Sequence, residues 1–359
     1  CFNIWGIPLA SHAVLSRPPR CGAVAASAVL ATCNKDSRVV VCFQEAWAFK
    51  TGLACPCIAT ARALERCWPW CCTTVPKQIF NSRKIVRSVL QVNGCCTLLA
   101  SLCGAFTAPC FPCTALSDDT TRTEIVADLE RWALPYAIGT HGTSGLSSSP
   151  TMLLDSGLLI VSNVKPVASG FVPYVSMGVE TMAKKGLLWA LLPPAQDRIN
   201  GDGIEGGGDL IVTTHQHADQ PNCDNPGATR AEQRSELISA VTRLREQYQP
   251  RIVVVCGDFN EDAKTREGGG GLHADMSASP LKMERLTDCE AEGTCLNEDG
   301  SGKAEELDHI YASVNGPHEK LEYERVPPMR TPWSDHSLLW VNRIRASANG
   351  SNPHVNGSV

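Results

Sequence analysis

The chain has 359 residues, of which 43% are hydrophobic and 19% are charged, a composition typical of a globular protein with a large core. The formal net charge is −5, so no overall basic field draws the chain to nucleic acid, although a local basic groove is not excluded. Eighteen cysteines are present, 14 of them between Cys1 and Cys113. Disulfide frameworks are typical of small secreted domains, and a chain of this length is not one. Cys110 and Cys113 have a CxxC spacing, but no second such pair completes a zinc site.

Short apolar runs predict a series of strands separated by helices and loops. The predicted strands lie at 2–8, 39–43, 157–161, 186–192, 209–214, 252–255, 307–311 and 337–341. Helices are predicted at 123–132 and at 229–249, the second with an apolar stripe of Leu237, Ile238, Val241 and Leu244. The glycine-rich connection between 186–192 and 209–214 predicts an antiparallel hairpin.

Residues from about 50 to 117 differ from the rest of the sequence and predict an insertion. Cysteines occur there in pairs, and no charged residue lies between Arg87 and Asp118. Paired cysteines beside apolar residues can accept palmitate and anchor a chain to a membrane; the alternative is an insertion that packs loosely on the surface. We therefore expect one catalytic domain at 1–345, interrupted by this insertion. Residues 346–359, rich in Asn, Gly and Ser, are expected to form a disordered tail.

The first residue, Cys1, is not a methionine, and the residues that follow it have the pattern of the end of a strand. We therefore expect a truncated N-terminus, and the lack of a signal peptide does not determine the compartment. A membrane-associated or cytoplasmic location is favoured over a secreted one.

The stretch 251–260, RIVVVCGDFN, combines a buried strand with polar residues at its end. Because side chains alternate along a strand, Asp258 and Asn260 are expected on the same side. A carboxylate and a carboxamide placed there can hold a water nucleophile and a phosphoryl oxygen. A strand followed by an Asp/Asn-rich turn is the purely structural alternative.

Other predicted strands also have polar residues at or beside one of their two ends. These residues are Asn3, Gln44, Glu45, His215, Asp308, Asp335 and His336. Carboxylate and carboxamide oxygens suit a hard divalent cation such as Mg²⁺, and histidine is the usual base near neutral pH. Together they predict metal-assisted attack of water on a phosphoester.

Taken in order, these segments resemble the endonuclease/exonuclease/phosphatase superfamily. Within it, the segments 3–8, 44–47, 156–162, 185–186 and 214–218 are most similar to those of neutral sphingomyelinases. The resemblance implies a deoxyribonuclease-I-like α/β fold, a four-layer sandwich of two packed mixed β-sheets flanked by helices. The chain departs from the family in the insertion at 50–117 and at Asn163, where the family more often has a basic residue.

The resemblance also implies a metal site. Glu45 corresponds to the principal Mg²⁺ ligand, with Asn3 beside it, and Asp335 is expected to bind a second metal or to tune the site. Mn²⁺ is an alternative to Mg²⁺.

The catalytic groups implied by the same resemblance are histidines and acids. His336 corresponds to the general base, oriented by Asp308. Asp258 and Asn260 correspond to groups that position water and phosphate, and His215 to a residue that contacts the phosphate or acts as an acid. His217 is expected to be a surface or core histidine, and Lys185 is left open because most lysines are solvated.

The expected activity is Mg²⁺-dependent hydrolysis of sphingomyelin to ceramide and phosphocholine at a membrane surface. A nuclease or a phosphatase of the same superfamily is the alternative, and the acidic net charge disfavours a nucleic-acid partner. A non-catalytic membrane-associated scaffold is the alternative from another class. Phe171, Tyr174 and Trp333 are candidates for binding a choline cation.

Overall fold

A computed structural model gives the fold of part of the chain. The described residues are 2–3, 37–44, 126, 129–130, 133–139, 156–178, 180, 184–194, 199–200, 203–204, 207–220, 223–262, 271–287, 293–296, 304–316, 319–329 and 336–348. The chain divides into two compact units, Cys1–Ala48 with Thr120–Val359, and Phe49–Asp119. All described residues belong to the first unit, so the predicted insertion at 50–117 lies outside them.

The described secondary structure consists of strands and two helices. The strands are β1 (Phe2–Asn3), β2 (Val40–Gln44), β3 (Tyr136–Gly139), β4 (Leu159–Ser162), β5 (Ala168–Pro173), β6 (Gly186–Leu192), β7 (Ile199–Asn200), β8 (Gly203–Ile204), β9 (Asp209–His215), β10 (Ile252–Asp258), β11 (Glu284–Arg285), β12 (Cys295–Leu296), β13 (Ala304–Glu305), β14 (Asp308–Val314), β15 (Glu319–Arg325) and β16 (Val341–Ala348). The helices are α1 (Pro226–Tyr248) and α2 (Gly271–Ala278).

Two mixed sheets form the body of this unit. A four-stranded sheet has the order β1-β2-β4-β3, and a six-stranded sheet has the order β11-β14-β10-β9-β6-β5. Strands β9 and β10 are parallel, as are β1 and β2, whereas the other neighbours are antiparallel. The predicted hairpin is confirmed, because β6 pairs with β9 in antiparallel register.

Alternation along β10 shows how the layers stack. Val253 and Val255 pack with the buried face of α1, whereas Val254 and Cys256 pack with Cys42 of the four-stranded sheet. The outer face of the four-stranded sheet has its own buried cluster, which includes Leu129. Each fully buried aliphatic side chain stabilises the fold by roughly 1.5–3 kcal/mol. The layers are thus those of the expected sandwich of two sheets between helical elements.

Helix α1 begins three residues before the predicted start at 229 because a cap precedes it. The Asn225 side chain accepts a hydrogen bond from the Ala228 amide at 3.0 Å, and Pro226 occupies the first turn, where its missing N–H has no cost. Gln249, at φ 45°, adopts the left-handed conformation that ends the helix. Leu237, Val241 and Leu244 are buried as predicted, and Ile238 is partly buried against the same core.

The prediction of a last strand at 337–341 was wrong. Residues 337–341 do not form one strand; His336 and Leu338 make isolated bridges, and Val341 begins β16. That strand pairs with β15 in a separate two-stranded sheet, and it extends through Ala348, past the predicted start of the tail at 346. Residues 349–359 lie outside the described part.

The remaining predictions concern helices. Of the predicted helix 123–132, the described residues Val126, Leu129 and Glu130 are helical. Among the helices that the structure describes, none combines the length and the apolar character needed to cross a bilayer.

Candidate active site

Three candidate catalytic residues lie side by side on three neighbouring strands. Asp258 is the last residue of β10; it pairs with His215 of β9 on one side and with Asp308 of β14 on the other. Residues paired in this way project from the same face of a sheet. Because Cys256, two residues earlier, packs towards the four-stranded sheet, Asp258 projects to the same side, at the end of the interface between the sheets.

His336 completes the cluster from a distant part of the chain. Its Nδ1 lies 2.7 Å from Oδ2 of Asp308, and its Nε2 lies 3.8 Å from Oδ2 of Asp258. Nε2 of His215 approaches the same Asp258 oxygen at 3.7 Å. All four side chains are buried, with His336 the most exposed at 7%. The expected pairing of His336 with Asp308 is therefore present in the structure.

The two histidines of this cluster have opposite electrostatic environments. Burial disfavours the charged form of His336, but the charge and hydrogen bond of Asp308, together with Cys295 and the charge of Asp258, raise the pKa of His336 well above its ordinary value. Burial, aided by the positive charges of Lys185 and His336, holds the pKa of His215 well below its ordinary value. His215 is therefore neutral near pH 7, whereas His336 is stabilised as an imidazolium.

Asp258 and Asn260 are neighbours for a reason other than strand alternation. Strand β10 ends at Asp258, and Asn260 has a left-handed conformation with φ 52°, so the predicted alternation was wrong. The Asn260 amide donates to Oδ1 of Asp258 at 2.8 Å, which closes an Asx turn. Nδ2 of Asn260 donates to the Gln216 carbonyl at 3.0 Å. The turn therefore holds both polar side chains at the end of β10 by local hydrogen bonds.

Gly257 is required where β9 and β10 run side by side. Its φ is 153°, and a Cβ at this position would lie 2.0 Å from the carbonyl oxygen of Thr214. Residues other than glycine rarely adopt this φ. The clashing oxygen belongs to the backbone of β9, which is paired with β10 and cannot easily move. The glycine of the GDFN motif therefore permits the close approach that sets Asp258 beside His215.

The acidic cluster meets the chemical requirements of a cation site. Ligand atoms of Asp258, Asp308 and His336 lie within 4.8 Å of one another. Oδ1 of Asp308 is buried and has no hydrogen-bond partner in the described part of the chain, so no hydrogen bond there competes with a cation for its lone pairs. Two carboxylates in a buried, oxygen-rich setting suit a hard divalent cation.

The predicted metal ligands are described only in part. Asn3 pairs in register with Gln44, and Nε2 of Gln44 donates to Oγ1 of Thr213 at 2.8 Å, which joins the two sheets near the site. Glu45 directly follows Gln44, but Glu45, Asp335 and the side chain of Asn3 lie outside what the structure describes. Their role as ligands stays a prediction.

Lys185 is buried, which the reasoning from sequence had left open. Nζ of Lys185 donates to the Gln216 carbonyl at 2.5 Å and forms an ion pair with Glu180 at 2.8 Å. The Gln216 carbonyl thus accepts hydrogen bonds from both Lys185 and Asn260. His217 is a core histidine, fully buried, and its backbone N–H donates to Gln233 Oε1 at 2.8 Å.

The aromatic residues suggested for choline binding do not form an open cage. Tyr174 is buried, and its hydroxyl lies 2.5 Å from Oγ1 of Thr214, so the prediction for Tyr174 was wrong. The ring of Phe171 already faces a cation, Nζ of Lys184, 5.4 Å from its centroid. Trp333 lies outside the described residues.

One contributor to this arrangement was missed by sequence reasoning. Thr294 hydrogen-bonds to the backbone at the start of β14 and to the residue after His336. Its surroundings, GTC, carry no motif that would distinguish it from any other loop threonine. Only the three-dimensional structure identifies it.

The chain was compared with known proteins. No model of a known protein family matches it, and no curated protein does. Solved structures do match. A mutant beta toxin from Staphylococcus aureus with bound magnesium ions aligns with a TM-score of 0.53 and 16% identity, covering 96% of this chain and 97% of the toxin. Sphingomyelinase C from Streptomyces griseocarneus aligns with a TM-score of 0.52 and 15% identity, covering 97% of each chain.

A third structure, SmcL, aligns with a TM-score of 0.50 and 16% identity, covering 97% of this chain and 92% of its own. The chain has a deoxyribonuclease-I-like fold. This confirms the fold class expected from the ordered motifs, and it agrees with the resemblance to sphingomyelinases noted from the sequence. At these identities, the similarity establishes the fold alone.

Proposed function

We propose that the chain is a metal-dependent phosphodiesterase that hydrolyses sphingomyelin to ceramide and phosphocholine. The observation that carries the proposal is the buried Asp308–His336 pair, whose second imidazole nitrogen, Nε2, lies 3.8 Å from Asp258 at the end of the sheet interface. Burying an acid and a histidine together is energetically costly. Histidines with perturbed pKa values are typical of catalytic sites.

Each of these side chains has a definable part in the reaction. Asp308 accepts a hydrogen bond from Nδ1–H of His336, so in the neutral imidazole Nε2 is the basic nitrogen. Above its raised pKa, where His336 is neutral, it takes a proton from the attacking water, and the Asp308 carboxylate stabilises the imidazolium that results. Asp258 and Asn260 hold the water and a phosphoryl oxygen, while neutral His215 donates a hydrogen bond to the phosphate. The water oxygen forms the new bond to phosphorus as the phosphorus–oxygen bond to ceramide breaks. Ceramide leaves as the alcohol after it takes up a proton from solvent, and His336 returns its own proton to solvent.

The proposed metal is Mg²⁺, held by Glu45 with Asn3 beside it and Asp335 close by. When bound, the cation neutralises charge on the phosphoryl oxygens. The oxygen-rich cluster of Asp258 and Asp308 suits such a hard cation. Mn²⁺ is the alternative because it accepts the same ligands.

The substrate assignment draws support from charge as well as from fold. Several basic side chains in the described part are engaged by carboxylates, among them Arg38, Arg230, Arg234, Arg251 and Arg285. A nuclease needs free Lys and Arg to bind a polyanion, and these residues are already neutralised. Two of the structural neighbours with matching fold are sphingomyelinase C and the beta toxin.

A membrane surface is the proposed site of action, because sphingomyelin is a bilayer lipid. We propose that the insertion at 50–117, with its paired cysteines, supplies the attachment. Deleting 68–111 should then abolish sedimentation with sphingomyelin vesicles while hydrolysis of sphingomyelin in detergent micelles persists. Unchanged vesicle binding by the deletion variant would contradict this attachment.

The decisive experiment compares two substrates. Sphingomyelin in detergent micelles and supercoiled plasmid are each incubated with the protein, with Mg²⁺ or with EDTA, and His336→Ala serves as the inactive control. We expect Mg²⁺-dependent release of phosphocholine and weak nicking of plasmid. Efficient nicking without phosphocholine release would instead favour the nuclease.

A further inference from the structure

Thr294 makes two hydrogen bonds at the exact point where Asp308 enters the site. Its Oγ1 accepts from the backbone N–H groups of Leu307 at 2.9 Å and of Asp308 at 3.0 Å. Thr294 is fully buried, so water does not compete for these amides. One hydroxyl oxygen therefore fixes the backbone from which the Asp308 side chain departs.

The backbone of Thr294 also holds the segment that carries His336. The Thr294 carbonyl accepts a hydrogen bond from the Ser337 amide at 2.7 Å, and the adjacent Cys295 forms an antiparallel bridge with His336. In turn, the Thr294 amide donates to the Glu305 carbonyl at 2.7 Å, which ties it to β13. Asp308 and His336 are 28 positions apart, and Thr294 bonds to the backbone beside both.

We propose that Thr294 is a positioning residue that sets the geometry of the Asp308–His336 pair. The catalytic consequence of this assignment rests on the proposed function, whereas its structural consequence does not. In this role Thr294 acts through Asp308 and His336.

The physical reason lies in the two amides that share one acceptor. Without the hydroxyl, the buried Asp308 N–H and the partly buried Leu307 N–H lose their shared acceptor, which is costly, so the start of β14 moves to find other partners. The 2.7 Å contact between Asp308 Oδ2 and His336 Nδ1 has little tolerance for such a shift. Proton transfer depends on this alignment, because small displacements in a catalytic pair reduce rates strongly.

The chain offers a matched control in Thr287. Its Oγ1 accepts a hydrogen bond from the Ile310 amide at 3.2 Å, two residues further along the same strand, and it is buried as well. Replacing threonine by valine keeps the shape and removes the acceptor at either position. Thr287→Val therefore removes a buried acceptor from β14 without touching the Asp308–His336 pair.

The experiment measures kcat and KM for sphingomyelin in micelles with Thr294→Val, Thr294→Ser and Thr287→Val. In parallel, proton NMR follows the low-field Nδ1–H signal of His336, identified by its loss in His336→Ala. We expect Thr294→Val to lower kcat by about 10-fold to 100-fold with KM nearly unchanged, because alignment rather than binding is lost. Its low-field signal should shift upfield or broaden. Thr294→Ser and Thr287→Val should both resemble the wild type in kcat and in the signal.

Two results would overturn the assignment. One is a Thr294→Val variant with wild-type kcat and an unchanged low-field signal; the other is an equal loss in Thr287→Val, which would show a general effect of weakening β14. If Thr294→Val does not fold, Thr294→Cys takes its place, because sulfur fills the site but is a poor acceptor, and the same expectations apply. If the wild type releases no phosphocholine, the proposed function fails, while the NMR comparison still decides whether Thr294 positions the pair.

Discussion

Asp258 and Asp308 lie directly opposite each other on β10 and β14, and their carboxylates face the two nitrogens of a single imidazole, that of His336. The Nδ1 side is a hydrogen bond of 2.7 Å and the Nε2 side a looser approach of 3.8 Å. This asymmetry assigns different tasks to two acids of the same type. Asp308 fixes the orientation of His336 and favours its charged form, whereas Asp258 lies beside Nε2, the nitrogen to which we assign the proton transfer.

Replacing Asp308 by asparagine tests the first of these tasks. Burial lowers the pKa of His336, and the charge and hydrogen bond of Asp308 are the main causes that raise it, so removing the Asp308 charge should lower that pKa. The acidic limb of the pH–rate profile should then move to lower pH. The rate itself should fall by about 10²-fold to 10⁴-fold, the range for loss of general-base assistance, and His336→Ala should fall as far and lose the limb. Asp219→Asn, at an acid largely exposed to solvent, is the control. A profile unchanged in both site variants would disprove the pairing.

Which parts of the site were predictable follows from how each residue is positioned. Asp258 and Asp308 were found because polar residues at the ends of apolar strands stand out from the sequence. His336 was singled out in the same way, although the strand expected after it did not form and its bridge to Cys295 is isolated; its role as general base came from the resemblance. Strand β15, which alternates charged and apolar residues at an edge, was missed because its apolar content is too low to signal a core strand. The Asx turn that joins Asp258 and Asn260 was missed because strand alternation had already predicted, for a different reason, that these two side chains lie close together.

His215 and His217 should behave differently although they are two residues apart. His215 lies 3.7 Å from Asp258, and its low pKa keeps it neutral and able to donate to a phosphate. We expect His215→Ala to lower kcat by about 10²-fold with little change in the urea midpoint. His217→Ala, at a core position against Gly178, should lower the urea midpoint more than kcat. Equal kinetic losses in the two variants would contradict the assignment of His215.

Glu45→Gln should remove most of the activity without unfolding the protein. Glu45 directly follows Gln44, whose side chain joins the two sheets through Thr213. Loss of one carboxylate charge weakens the hold on a divalent cation. The Mg²⁺ concentration for half-maximal activity should rise by about 10-fold or more, and Mg²⁺ should no longer raise the melting temperature. Glu246→Gln, at an exposed acid of α1, is the control, and a Glu45 variant that needs no additional Mg²⁺ would refute the ligand assignment.

Gly257→Ala should destabilise the fold because the new methyl group meets a backbone carbonyl. The Cβ would lie 2.0 Å from the Thr214 oxygen, and the φ of 153° disfavours any side chain. We expect a loss of about 3 kcal/mol or more in the free energy of unfolding, measured by urea denaturation. At Gly316, the nearest atoms to an added Cβ belong to the Glu319 side chain, which can move, so Gly316→Ala should cost much less. A similar cost at both positions would show that backbone packing at Gly257 is not the cause.

The stability of the protein should fall as the pH decreases from about 6.5 towards 4, in part because of His309. Burial, and then the charge of Arg285, lowers the pKa of His309 to about 4 from an ordinary value of 6.5. The folded state therefore binds fewer protons than the unfolded state between these values, so the contribution of His309 is complete above 6.5 and is lost as the pH falls through the interval. The slope of the unfolding free energy from this one group reaches about 1.4 kcal/mol per pH unit.

His309→Gln tests this contribution, because glutamine keeps a donor for the Glu261 carbonyl that faces Nε2 and cannot titrate. Urea midpoints measured between pH 7.5 and 5 should therefore depend less on pH in His309→Gln than in the wild type, whereas His273→Gln, at an exposed histidine, should leave the dependence unchanged. Equal pH dependence in His309→Gln and the wild type would show that His309 is not the source of the loss.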